Sequence, residues 1–174
     1  MNDVIDSGVV VVVAAGNDQR FAEDFVPARF LNVVTVSAIT DSAGKCGGQG
    51  SPLFGDNDDN FASAYSNFGG SIDIAAPGSN ILSTWNDGGY NQITGTSMDA
   101  PHVTGVAALY KSLNPDASPS DVVSALLAAG TTSQDQCDGN GKGYFEGDTD
   151  GISEPLLYGG NLTSIQQKEL TLPQ

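Results

Sequence analysis

Seven consecutive apolar residues, Val9 to Ala15, are closed by Gly16 and followed by the carboxamide of Asn17. The run is too short to span a bilayer, which takes about 20 residues, and reads instead as a strand buried on both faces. Strands of that kind belong to parallel sheets covered by helices, so the fold class is α/β. Ligands of such sheets bind where the carboxyl ends of the strands emerge. Asn17 stands just past that end, with Gly16 supplying the turn, and its NH2 group can donate to a substrate oxygen. Ahead of the run, Met1 to Ser7 read as the last turns of a helix closed by Gly8.

A second stretch carries complementary chemistry. Gly95-Thr96-Ser97-Met98-Asp99-Ala100-Pro101-His102-Val103-Thr104-Gly105 sets a serine on a glycine-preceded turn that leads into an apolar helix. Pro101 has no N–H for the carbonyl of Ser97, so it is tolerated only in the first turns, which places the helix start at Thr96 to Met98. A hydroxyl at that tip meets unpaired backbone N–H groups and the positive end of the helix dipole. Both favour the oxyanion that nucleophilic attack by Ser97 creates. Val103, Val106, Ala107, Ala108 and Leu109 predict a helix running through the core. Asp99 is expected to point about 200° away from Ser97, as a first-turn carboxylate of little consequence.

These two motifs resemble those of the subtilisin-like serine proteases (subtilases). The resemblance implies a three-layer α/β/α fold with a mainly parallel sheet. It implies a serine endopeptidase with Ser97 as nucleophile, Asn17 and the Ser97 N–H as oxyanion hole, and Thr96 in support. Ala14, Ala15, Gly16 and Gly95 would then bind substrate, the first three walling the P1 pocket. An α/β-hydrolase serine is set aside, because the second residue after Ser97 is Asp99 and not the glycine that a nucleophile elbow requires.

Attack on an amide needs a general base within hydrogen-bond reach, usually a histidine oriented by a carboxylate. The chain has one histidine. His102 lies five residues after Ser97, a helical rotation of about 500°, so it faces roughly 140° away. It reads as a histidine bonded within the fold, as the resemblance also implies. In the subtilase order the aspartate and histidine precede the serine, so both are expected upstream of Met1. Residues 1–160 are accordingly read as the C-terminal part of a catalytic domain lacking its N-terminal part, and 161–174 as a tail. Two other readings stay open: an inactive fragment serving as a binding module, and a half-domain completed by a separate chain.

Twenty-one acidic residues against six basic ones give a net charge of −15, which argues against nucleic acid or anionic membranes as partners. The expected partner is a polypeptide substrate. No basic segment precedes the apolar run, so no signal peptide is read on this chain, although the resemblance implies a secreted parent. Cys46 and Cys137 sit in glycine- and acid-rich loops, and their sequence positions leave their pairing open.

Asp18 to Leu31 reads as a polar surface loop, and Asn32 to Ile39 as the next buried strand. Thr40 to Ala64, with the acidic run Asp56 to Asn60, reads as a long, flexible-looking insertion. Asp73 lies in an apolar strand, where a carboxylate needs a partner. The resemblance implies a structural calcium there, with backbone carbonyls near Leu31 and Val33, and a hydrogen-bonded aspartate satisfies the position equally. No cofactor is required for the chemistry. Ile81 to Trp85 and Gly89 to Ile93 predict a hairpin about Asn86-Asp87-Gly88. Ser118-Pro119-Ser120-Asp121 opens a second helix that Gly130 closes. Leu156 to Gly160 reads as the last packing segment. Asp138 to Gly143 starts like an EF-hand loop, but Lys142 stands at a ligand position. Asn161-Leu162-Thr163 is a nominal glycosylation sequon.

Overall fold

The computed structural model describes residues 1–139 and 142–161. The sequon and the tail beyond Asn161, and part of the Asp138–Gly143 stretch, lie outside them. The chain runs through α1 (Asn2–Asp6), β1 (Val12–Ala14), β2 (Val34–Thr40), β3 (Asn60–Phe61), β4 (Ile74–Pro77), β5 (Ile81–Thr84), β6 (Tyr90–Ile93), α2 (Thr96–Leu113) and α3 (Pro119–Ala129). Gly8, at φ +94°, closes α1 as expected.

Every residue of β2 is buried, and the sheet is built around it. β1 and β4 lie parallel to β2 on opposite edges, both pairing with Val36. β3 runs antiparallel further along the β1 edge, with Phe61 opposite Ile39. The segment around Leu156 adds to the far side of β4, where Ala75 N–H donates to Pro155 O at 2.8 Å and Leu157 N–H to Ala75 O at 2.8 Å. A parallel pairing of this kind needs long crossovers between strands, and α2 supplies the layer on one face.

Side chains alternate along β2 although nearly all are small or apolar. Val34 and Val36, with Ile74 and Ala76 of β4, meet Val103, Ala107, Val122 and Leu126 of α2 and α3. On the other face Thr35 Oγ1 donates to Ala28 O (2.9 Å), Ser37 Oγ donates to Glu154 Oε1 (2.6 Å), and Ile39 joins Phe61, Ala75 and Phe145. Loops, not helices, cover this second face among the described residues. α3 begins as its sequence predicts: Ser118 Oγ accepts from Asp121 N–H, and the Asp121 carboxylate accepts from Ser118 N–H.

Four expectations need correction. The run Val9 to Ala15 gives only a three-residue strand, half-buried rather than buried on both sides, because no strand among the described residues pairs with its outer edge. α2 is not apolar core throughout: its sheet-facing stripe is buried, while Leu109 is 62% exposed. The insertion Thr40 to Ala64 is not structureless. It contains β3 and is tied by the Cys46–Cys137 disulfide, whose Cα atoms are 5.5 Å apart. Asp58 adds to this by accepting from the N–H groups of Ser42 and Gly50. Such side-chain-to-backbone order has no hydrophobic period, so the sequence pattern does not announce it. The Asp18–Leu31 loop is also less polar at its surface than expected, exposing Phe21, Val26, Phe30 and Leu31. Among the described residues no helix is long and apolar enough to cross a membrane.

Candidate active site

Ser97 is the second residue of α2 and is exposed, with no hydrogen-bond partner for its hydroxyl among the described residues. It lines a cleft of about 410 Å³ together with Met98, Pro101 and His102 on the helix and Ile81 and Trp85 from the β5–β6 hairpin. The turn that delivers it is closed by backbone. Gly95 N–H donates to Gly78 O (3.0 Å), and Asn80 N–H donates to Thr94 Oγ1 (2.9 Å). A Cβ on Gly78 would stand 2.7 Å from Ala38 Cβ and 3.0 Å from the Tyr65 hydroxyl, so only glycine fits there. Gly95 has φ +148° and lies beside the Asn17 amide, 3.4 Å from its nitrogen to an added Cβ.

Thr96, fully buried, joins the two motifs that are 79 residues apart. Its N–H donates to Asn17 Oδ1 at 2.8 Å and its hydroxyl donates to the same oxygen at 3.0 Å. The hydroxyl in turn accepts from Gly16 N–H at 3.1 Å. A backbone N–H can only donate, so the amide atom facing Thr96 must be the oxygen. The Asn17 NH2 is thereby turned away from Thr96 and left available as a donor. Ala15 is buried, its N–H on Val36 O (2.9 Å), while Ala14 and Gly16 are half-buried.

The loop around Asn17 has a further partner, Asn67, that sequence reasoning did not single out. Asn67, fully buried, donates from Nδ2 to Ala15 O (3.0 Å) and accepts at Oδ1 from Asp18 N–H (2.9 Å) and Arg20 N–H (3.1 Å). Its own N–H donates to Gly16 O (2.9 Å). Gly16 has φ +109°, and a Cβ there would collide with Asn67 Nδ2.

His102 shares the cleft wall with Ser97, but its Nδ1 is hydrogen-bonded to Met98 O one turn back (2.9 Å). That agrees with a histidine bonded within the fold. Asp99 corrects the expectation made for it. It does turn away from Ser97, but into the sheet: Thr96, Asp99, Val103 and Ala107 form the buried stripe of α2. Neither carboxylate oxygen of Asp99 has a hydrogen-bond partner among the described residues, and burial pushes its carboxyl well above the ordinary range. Asp73 Oδ2 accepts from Thr35 N–H at 2.8 Å, and burial raises its carboxyl too. Nearby, the Leu31 side chain is exposed and Val33 is buried. Elsewhere Asp41, Asp58 and Asp59, all from the acidic insertion, bring carboxylate oxygens within 4.8 Å of one another.

The family model described as the subtilase family, Peptidase S8, matches residues 2–144. The chain is 39% identical over 132 residues to alkaline serine exoprotease A of Vibrio alginolyticus, covering 76% of this chain and 22% of the relative. It is 42% identical over 127 residues to an extracellular serine proteinase of Thermus sp. (strain Rt41A), covering 72% of this chain and 27% of the relative. A solved cold-adapted subtilisin-like serine proteinase superposes with a TM-score of 0.70 at 37% identity, over 91% of this chain and 48% of that one. A second solved structure, a protease of Pseudoalteromonas arctica PAMC 21717, gives 0.67 at 30% identity, over 94% and 44%. The chain thus spans about a quarter of the length of these curated relatives.

Proposed function

We propose, from the premise that this chain belongs to the subtilase family, that it carries the nucleophile and the oxyanion hole of a serine endopeptidase. Ser97 Oγ attacks the scissile carbonyl, and the developing oxyanion accepts from Ser97 N–H and from the Asn17 NH2. The tetrahedral intermediate collapses to an acyl-serine as the amine leaves with a proton. Water then hydrolyses the ester. Ala14, Ala15 and Gly16 wall the P1 side chain, and Gly95 lies beside the Asn17 amide. The observation that carries the reading is the Asn17 carboxamide, whose oxygen is held by Thr96, the residue before Ser97, and whose nitrogen has no hydrogen-bond partner among the described residues.

The proton relay comes from outside these residues. His102 Nδ1 is bonded to Met98 O and no hydrogen bond joins its ring to Ser97 among the described residues, so a histidine outside these residues, oriented by an aspartate, would accept the Ser97 proton. The Ser97 hydroxyl without a base favours a second reading of the 174 residues taken alone: a chain that binds peptide without cleaving it. The substrate class is polypeptide, and the parent is placed outside the cell, in keeping with the extracellular relatives and with the disulfide. A structural calcium on Asp73 and the carbonyls of Leu31 and Val33 fits the oxygen-only donor set, which suits that ion. It would leave the chemistry untouched.

A fluorophosphonate serine probe tests the main reading. The isolated chain should not be labelled, and labelling at Ser97 should arise once the polypeptide carrying the base is supplied. Labelling of the chain alone would contradict the missing base, and failure to label the completed domain would contradict the peptidase reading. Asn17→Ala in the completed domain should lower kcat while leaving KM in place. The corresponding donor of subtilisin is worth about 10²–10³ in kcat, a measurement on that enzyme and not a figure worked from these distances.

A further inference from the structure

We propose that Asn67 is the positioning residue of the oxyanion loop, acting on catalysis only through Asn17; the proposal rests on the peptidase reading above. One buried side chain ties down the loop on both flanks of Asn17. Its nitrogen holds the carbonyl of Ala15, and its oxygen gathers the N–H groups of Asp18 and Arg20. Its backbone N–H takes the carbonyl of Gly16. Asn17 is the residue between these anchors, so its Cα has little freedom to move.

The anchor is itself fixed to the sheet. Ser66 Oγ accepts from Ala38 N–H of β2 (3.1 Å) and donates to Asn67 O (2.9 Å). The two restraints on the oxyanion donor are therefore distinct: Thr96 orients its amide, and Asn67 places its backbone. Only a carboxamide of this length offers one donor and one double acceptor together. An aspartate keeps the acceptors for Asp18 and Arg20 but sets a carboxylate oxygen against Ala15 O. Alanine removes all three side-chain bonds and leaves the carbonyl of buried Ala15 and the N–H groups of Asp18 and Arg20 without this partner.

An oxyanion donor works by being in place before charge develops, and a misplacement of about 1 Å costs on the order of 10²-fold. The test is a double-mutant cycle in the completed catalytic domain. Asn67→Ala should lower kcat by about ten- to a hundredfold with KM within about twofold. In an Asn17→Ala background the same change should cost less than about twofold, because the group it positions is gone. In the chain itself, Asn67→Ala should speed amide hydrogen exchange at Asp18 and Arg20 while Ala38 stays protected. An equal loss with and without Asn17 makes Asn67 a general structural residue and overturns the proposal, as does an unchanged kcat. If Asn67→Ala does not fold, the cycle is repeated with Asn67→Asp, and failure of both to fold also overturns it. Should Asn17→Ala alone leave kcat unchanged, the peptidase reading fails, and hydrogen exchange still judges the loop restraint by itself.

Discussion

Replacing Glu154 by glutamine is expected to stabilise the chain at pH 8 and to leave it unchanged at pH 4. Glu154 is only 7% exposed and lies under the sheet, with Oε1 accepting from Ser37 Oγ at 2.6 Å. Burial, reinforced by the charges of Asp148 and Asp150, pushes its carboxyl from the ordinary value of 4.5 up to about 7 despite that hydrogen bond. Below pH 4.5 the group is neutral in both the folded and the unfolded chain. Between 4.5 and 7 the unfolded chain ionises first and binds fewer protons, so stability falls as pH rises through that window. Above 7 the deficit is constant, at about 3 kcal/mol for a displacement of this size. Glutamine never ionises, has nearly the same shape, and keeps an oxygen for Ser37. Urea unfolding followed by circular dichroism at pH 4, 6 and 8 reads the difference. A gain at pH 8 that is absent at pH 4 supports the reasoning. The same change at all three values, or a loss at pH 8, refutes it.

Asp99→Ala should raise stability at pH 7 by about 1–3 kcal/mol, since it deletes a buried carboxyl without a partner, and the gain should shrink in acid. A lower melting temperature at pH 7 counts against this. Calcium should raise the melting temperature of the chain, and Asp73→Asn should abolish the rise; equal rises in both would remove Asp73 from any calcium site. Reducing Cys46–Cys137, which closes a separation of 91 residues, should cost up to about 4.6 kcal/mol by loop entropy, and an unchanged unfolding midpoint would refute it.

The sequence was most legible where period and punctuation coincide. The β5–β6 hairpin, the start of α2 about Pro101 and the capping box of α3 each follow from local chemistry, and each is found where expected. Asn17 and Ser97 were readable as motifs, but the bond that unites them was not. Thr96 reaches Asn17 only after β1, β2 and β4 have paired, and no local spacing encodes that. Asn67 escaped for the same reason, since all its side-chain partners are 47 to 52 residues distant. Asp99 is not of little consequence, because its rotation away from Ser97 carries it into the sheet. Direction on a helix is fixed by sequence, but what lies in that direction is fixed by packing. The Cys46–Cys137 disulfide is not legible in the sequence, because spacing along the chain carries no distance in space.

The closure of Gly78 upon Gly95 divides the labour of this region. Backbone meets backbone at the foot of the β5–β6 ribbon, so the location of the Ser97 hydroxyl is decided beneath the ribbon and not along it. The stretch from Ile81 to Ile93, beyond the anchors at Ser79, Asn80 and Thr94, can then behave as an interchangeable cassette. Its tip at Asp87 and Gly88 accommodates changes of length or composition, and Ile81 and Trp85 reshape the cleft wall without moving Ser97. The wall on this side of the cleft is free to change shape while the Ser97 hydroxyl stays fixed.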